Sequence, residues 1–145
     1  ASSVTQSTSL VDMSMGRYYH SSCKNSIMPL FIIDQTLSLT QLGELAKERF
    51  GDLVKAVVDV ESGAMAIGPE LNVDAEQLLL QKGSRQQNLW GINLYPDAFG
   101  DMEKFVEFDS MINLRPGQGN RSRGVENPEI RNKIIEIVGQ KIVQS

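Results

Sequence analysis

Apolar and polar positions sort this chain into alternating helical and extended segments from Met28 onward. Ser38 followed by Gln41 has the spacing of a capping box. Leu39, Leu42, Leu45, Ala46 and Phe50 follow it as a helical stripe, and Gly51 stands where a helix stop falls. Asp74 and Gln77 repeat the start signal, with Leu78, Leu79 and Leu80 inside and Gly83 as the stop. Asn127 and Pro128 place an N-cap before an N1 proline. Ile130, Ile134, Ile137, Val138 and Ile142 then recur at helical spacing to the chain end.

Strands are predicted between these helices. Residues 53–60 and 64–68 flank Glu61-Ser62-Gly63 and read as a hairpin. Residues 89–95 and 105–114 read as a second hairpin, and 29–33 as a short first strand. The order is β-α-ββ-α-ββ-α. It predicts an α+β fold: an antiparallel sheet of four to five strands in two hairpins, with helices packed on one face.

Side chains alternate along a strand. In the segment from Phe105, the even positions Val106, Phe108, Ser110, Ile112 and Leu114 form a nearly apolar face. The odd positions Phe105, Glu107, Asp109, Met111, Asn113 and Arg115 are mixed. Lys55, Val57, Asp59 and Glu61 form a similar mixed set, as do Leu89, Gly91, Asn93 and Tyr95. This second face is either in water or a surface for a ligand or a second copy; Val57, Leu89, Phe105, Met111 and Tyr95 make it apolar for a solvated face. Gly91 in mid-strand marks a close approach to the backbone.

The first 27 residues break the pattern: ten are Ser or Thr, and only Asp12 is acidic. Three readings stay open for them: an extension outside the core, a targeting peptide, or an arm packed on a neighbouring chain. The core is then one domain over residues 28–145. The whole chain has 145 residues, 41% of them hydrophobic and 22% charged, which suits a globular protein. Its apolar runs are far too short to span a membrane, and the expected setting is cytoplasmic. Net charge is −4, so nucleic acid is not an expected partner. His20 and Cys23 are the sole residues of their kinds and both precede the core. Cys–His and Ser–His–Asp catalysis and a Cys/His zinc site are therefore excluded from the core.

Two constellations carry candidate chemistry. The first is the segment from Arg115 to Gly124, with Arg115, Asn120, Arg121 and Arg123 in a glycine-rich loop that leads into a helix. Arginine forks, turned backbone N–H groups and a helix N-terminus all suit an anion. Asn93 and Tyr95 on the neighbouring strand join this ligand set. No phosphate-loop or dinucleotide motif is present. Structural pairing of the same arginines with Glu107, Asp109, Asp59 or Glu70 is the alternative. The second constellation is acidic. Asp59, Glu107 and Asp109 would hold Mg²⁺ if their strands are neighbours; otherwise they are ordinary cross-strand ion-pair partners.

Three segments together resemble a known family: Gly51 to Glu61, Leu89-Trp-Gly-Ile-Asn-Leu-Tyr-Pro96, and Glu107 to Val125 with its Asn-Arg-Ser-Arg motif. The family consists of small bacterial and archaeal proteins classed as a domain of unknown function, and the likeness runs from about Met28 to the end. It implies a fold-sized unit without a mechanism. It also implies a second glycine and a histidine where this chain has Pro69 and Asn72, which weakens any catalytic role for that turn.

Three functions are in contention. One is a non-enzymatic module that holds an anionic small molecule or a second copy of itself, as a homodimer. Another is a Mg-assisted hydrolase or lyase, with Arg115 and Arg121 on a substrate phosphate. The last is an accessory protein whose arginines tie loops to the sheet. The cofactor stays unknown at this level, Mg²⁺ belonging to the second reading alone.

Overall fold

The computed structural model describes residues 30–68 and 71–144. The readings of residues 1–27, with His20 and Cys23, lie outside the described residues. The fold is α+β, built on a five-stranded antiparallel sheet. The elements run β1 (Phe31–Ile32), β2 (Leu37–Ser38), α1 (Leu39–Arg49), β3 (Val54–Asp59), β4 (Met65–Gly68), α2 (Asn72–Gln81), β5 (Leu89–Leu94), α3 (Met102–Phe105), β6 (Val106–Glu107), α4 (Pro128–Lys141) and β7 (Ile142–Val143). Strand order in the sheet is β1-β4-β3-β5-β6, and β2 and β7 form a separate parallel pair.

The first hairpin forms as its pattern predicts, with Val57 opposite Ala66. Its turn is built by Asp59, whose carboxylate accepts from the N–H groups of Glu61 and Ser62. Gly63 adopts φ +83°, which a residue with a Cβ rarely does. At α1, Ser38 Oγ accepts from Gln41 N, and Gln41 Oε1 accepts from Ser38 N, both at 3.1 Å. Leu42 and Ala46 are buried. Phe50 instead stays exposed, beneath the Lys55 ammonium.

The second hairpin does not form as predicted. β5 pairs along its whole length with β3. The chain after Gly100 makes the short helix α3, capped by Asp101, and β6 pairs only Asn93 with Glu107 and Leu94 with Val106. Past Asp109 the strand gives way to a 3-10 turn at Met111–Asn113, where the Ser110 hydroxyl accepts from Ile112 N. The alternation fails with it. Phe105 is buried edge-on against Phe99, Asn113 is buried, and Leu114 is exposed. α2 also starts earlier than Asp74, at Asn72, whose amide turns inward onto Ala56 O and Ile92 O. α4 ends before Ile142, which leaves the helix to pair with Leu37.

Helices cover both faces of the sheet, not one. Residues of α1 and α4 join Val54, Ala56, Val58, Ile67 and Trp90 in the larger core. On the opposite face Ala75 and Leu79 of α2 pack with Val57, Ala66 and Leu89. The reason lies in the mixed face itself: three apolar side chains there need cover, and Gly68 lets α2 sit close. A Cβ at Gly68 would come within 2.9 Å of Leu71 O. Of the apolar residues that suggested a homodimer, Val57 and Leu89 are buried under α2 and Phe105 is buried in the larger core, whereas Met111 is 62% exposed.

Candidate functional site

A row of polar side chains crosses three strands at one end of the sheet. Register sets Lys55 opposite Asn93 and Asn93 opposite Glu107. Lys55 Nζ donates to Asn93 Oδ1 at 3.3 Å, and Asn93 Nδ2 donates to Glu107 Oε1 at 2.9 Å. The Tyr95 hydroxyl donates to the same Oε1 at 2.8 Å. Glu107 Oε1 thus accepts from two donors, which fix its position.

This row borders an open groove of about 700 Å³. Ala98, Val106 and Phe108 supply apolar lining. Asp52, Asp97, Glu103 and Glu107 supply four carboxylates, against the cations Lys104 and Arg131. Arg131 is already engaged: its guanidinium lies 4.4 Å from the Phe108 ring centre and donates to Val125 O. The negative field is felt at Tyr95. Burial pushes its phenol up to about 12, and the Glu107 hydrogen bond and the charges of Glu107, Asp52 and Asp109 push the same way. The hydroxyl stays a donor at any physiological pH.

The structure does not bring Asp59, Glu107 and Asp109 together. Asp59 stands opposite Leu89, and Glu107 opposite Asn93, four residues further along β5 and on its other side. That offset alone is roughly 13 Å along the strands. Asp59 accepts from Ser84 Oγ at 2.6 Å as well as from its own turn. Burial works to raise its pKa, but the hydrogen bonds from Ser84, Ser62 and Glu61 outweigh it and the net shift is downward. Asp109 pairs with Arg123 Nε at 2.6 Å. Among the described residues, no group of three His, Cys, Asp or Glu side chains is placed to hold a metal ion.

The glycine–arginine loop is tied to itself and to β5. Asn120 is buried and donates to Asn113 O, Ser122 O and Gly124 O, while its own Oδ1 accepts from Glu126 N. Arg115 and Asn120 pair through their backbones. Arg123 is held by Asp109, and the Glu126 carboxylate takes the N–H of Arg121, whose side chain is exposed.

β6 is too short to cover the first half of β5, and side chains of the loop stand in for a strand there. Asn113 accepts from Gly91 N at 2.8 Å and donates to Gly91 O at 3.0 Å and Arg123 O at 2.9 Å. Arg115 Nη2 donates to Leu89 O, and Nε donates to Ile112 O. The close approach signalled by Gly91 is made by Ser110 and Ile112: a Cβ on Gly91 would lie 2.5 Å from Ser110 Oγ. Arg115 also stacks on Trp90, with Cζ 4.3 Å from the ring centre. Burial lowers its pKa and the charge of Glu76 raises it, for a net downward shift. Arg115 Nη1 and Trp90 Nε1 are buried without a hydrogen-bond partner. Such a group costs about 1–3 kcal/mol, more when charged.

The candidate residues thus separate into two places. Tyr95 and Glu107 line the groove, and the buried Asn93 lies behind them and holds Glu107. Arg115, Asn120 and Arg123 belong to the loop. Asp52, Asp97 and Glu103 escaped the sequence pattern, because each lies in a turn or short helix without periodic signal. Asn113 escaped as one polar residue on a supposed strand, although Gly91 signalled that something must close on β5.

Fold and groove together define an α+β protein with a surface cleft at the rim of a helix-covered antiparallel sheet. The chain belongs to the family described as "Protein of unknown function (DUF5674)", which matches residues 31–141. No curated protein and no solved structure matches it. Among the described residues no helix is long and apolar enough to cross a membrane.

Proposed function

We propose that this protein is a non-enzymatic binding module, and that its groove receives a ligand carrying a cationic group on an apolar stem. The observation that carries this reading is the Glu107 carboxylate, fixed by Tyr95 and Asn93 at the edge of a groove with three further acids. A preoriented carboxylate loses little freedom when it meets a cation. Val106, Phe108 and Ala98 suit the stem. A cleft with apolar lining, a few converging polar groups and a perturbed tyrosine is the usual form of a ligand site. The non-enzymatic part rests on chemistry: residues 30–144 contain no Cys and no His, so the common nucleophile–base pairs cannot be assembled there.

The anionic ligand suggested by the loop finds fewer free groups. Arg123 faces Asp109, and the Arg121 N–H faces Glu126. The metal-assisted alternative requires Asp59 beside Glu107, which the strand register separates.

The test is thermal stability in the presence of 1,5-diaminopentane, set against citrate at equal ionic strength. A ligand that binds only the native state stabilises it by about 2.7 kcal/mol at a hundredfold excess over its Kd. The diamine should raise Tm, and Glu107→Gln should abolish the rise. A rise with citrate alone, or an undiminished diamine effect in Glu107→Gln, contradicts the proposal.

A further inference from the structure

The two oxygens of Glu107 stand in different states. Oε1 accepts from Asn93 Nδ2 at 2.9 Å and from the Tyr95 hydroxyl at 2.8 Å. A carboxylate oxygen offers about two lone-pair sites, so Oε1 is filled. Oε2 accepts from no donor among the described residues. Glu107 is exposed and lines the groove together with Tyr95. Tyr95 gives its hydrogen to Glu107, and its oxygen keeps lone pairs that can accept. Asn93 is oriented in turn by Lys55 Nζ, which donates to its Oδ1 and leaves Nδ2 to face Glu107.

This arrangement discriminates among cations. A guanidinium pairs best with a carboxylate as a fork that takes both oxygens, and here one of them is already filled. A quaternary ammonium has no N–H and is held by aromatic faces. The aromatic side chains lining the groove are Tyr95 and Phe108, and the Arg131 guanidinium already lies over the Phe108 ring, 4.4 Å from its centre. A primary ammonium is a compact charge with three N–H donors. Its donors match the open Oε2 and the Tyr95 oxygen. That oxygen lies 2.8 Å from Oε1, and hence within about two hydrogen-bond lengths of Oε2, a gap that one nitrogen bridges.

We propose that the groove selects a primary ammonium over a guanidinium or a quaternary ammonium on the same apolar stem, and that Tyr95 sets this selectivity. The inference rests on the groove being the ligand site. Tyr95 acts in two ways: its hydrogen fills Oε1 against a fork, and its oxygen accepts from a cation that carries N–H groups. Asn93 fills the other site on Oε1 from behind.

The test compares n-pentylamine, pentylguanidine and pentyltrimethylammonium, each a single cation on the same five-carbon stem. The ¹⁵N-labelled full chain is titrated with each at neutral pH and constant ionic strength, with 1,5-diaminopentane as the control for the groove itself. Pentylamine should bind about tenfold more tightly than the other two, the effect of one hydrogen bond to a charged group. In Tyr95→Phe the amine should weaken, and the guanidine should strengthen because Oε1 opens to its fork. A gain in affinity cannot come from unfolding. A pentylamine affinity no higher than the other two, or an unchanged ratio of amine to guanidine affinity in Tyr95→Phe, overturns the selectivity; diaminopentane binding then leaves the groove standing as a site. Absence of diaminopentane binding overturns the groove reading, and the selectivity falls with it.

Discussion

Asn113 does at the scale of one residue what a strand does elsewhere. Its amide closes both backbone groups of Gly91 and reaches Arg123 O besides. Only a residue with a donor and an acceptor on one short stem can do this. Asn113→Ala removes three hydrogen bonds and leaves buried backbone groups unpaired. It should lower stability by about 2–4 kcal/mol, read as a shift in the urea midpoint without loss of the α1 and α4 helical signal in the folded baseline. Part of this was legible beforehand. Gly91 announced a close approach, but nothing in the sequence said that Ser110, Ile112 and Asn113 would make it. The same holds for Tyr95 and Asn93, which were legible as candidates, while their meeting with Glu107 depends on register.

At the scale of elements, local signals succeeded where they are short-ranged. The Ser38–Gln41 box, the Asn127–Pro128 start and the Gly83 stop each involve neighbours in sequence, and each forms as read. The supposed strand over 105–114 failed because its alternation came from residues serving different surroundings. Phe105 packs in one core and Ile112 against the other. α2 was readable as a helix, but the face it covers was not, since that is decided by Val57, Ala66 and Leu89 needing cover and by Gly68 permitting it.

Asp59 joins elements too, tying the β3–β4 turn to the chain after α2 through Ser84. Its folded pKa is lowered, so between the folded and unfolded values the unfolded state binds more protons and stability rises with pH. The contribution is fully present above the unfolded value of about 3.9 and is lost as pH falls through the folded one. Asp59→Asn should therefore reduce stability at neutral pH and flatten the acid limb of a urea-midpoint profile. Parent and variant should converge at the lowest pH. An acid limb of unchanged slope would show that Asp59 is not a source of it.

At the scale of the whole molecule, covering both faces of the sheet removes the broad surface that the strand patterns suggested. The groove stays open, and there Tyr95, Glu107 and the turn residues Asp52 and Asp97 converge from separate parts of the chain. Composition could not reveal it: the net charge of −4 is modest, and the local excess of acid exists only after folding. The loop was the most conspicuous feature of the sequence, yet much of its polar chemistry closes the edge of β5. The most direct test of the central claim is an NMR titration of the ¹⁵N-labelled chain with 1,5-diaminopentane, following each backbone amide. Saturable shifts should centre on Tyr95, Asp97, Val106, Glu107 and Phe108 and vanish in Glu107→Gln. Shifts centred on residues 119–123 instead, or no saturable shift at any site, would contradict the groove as the functional site.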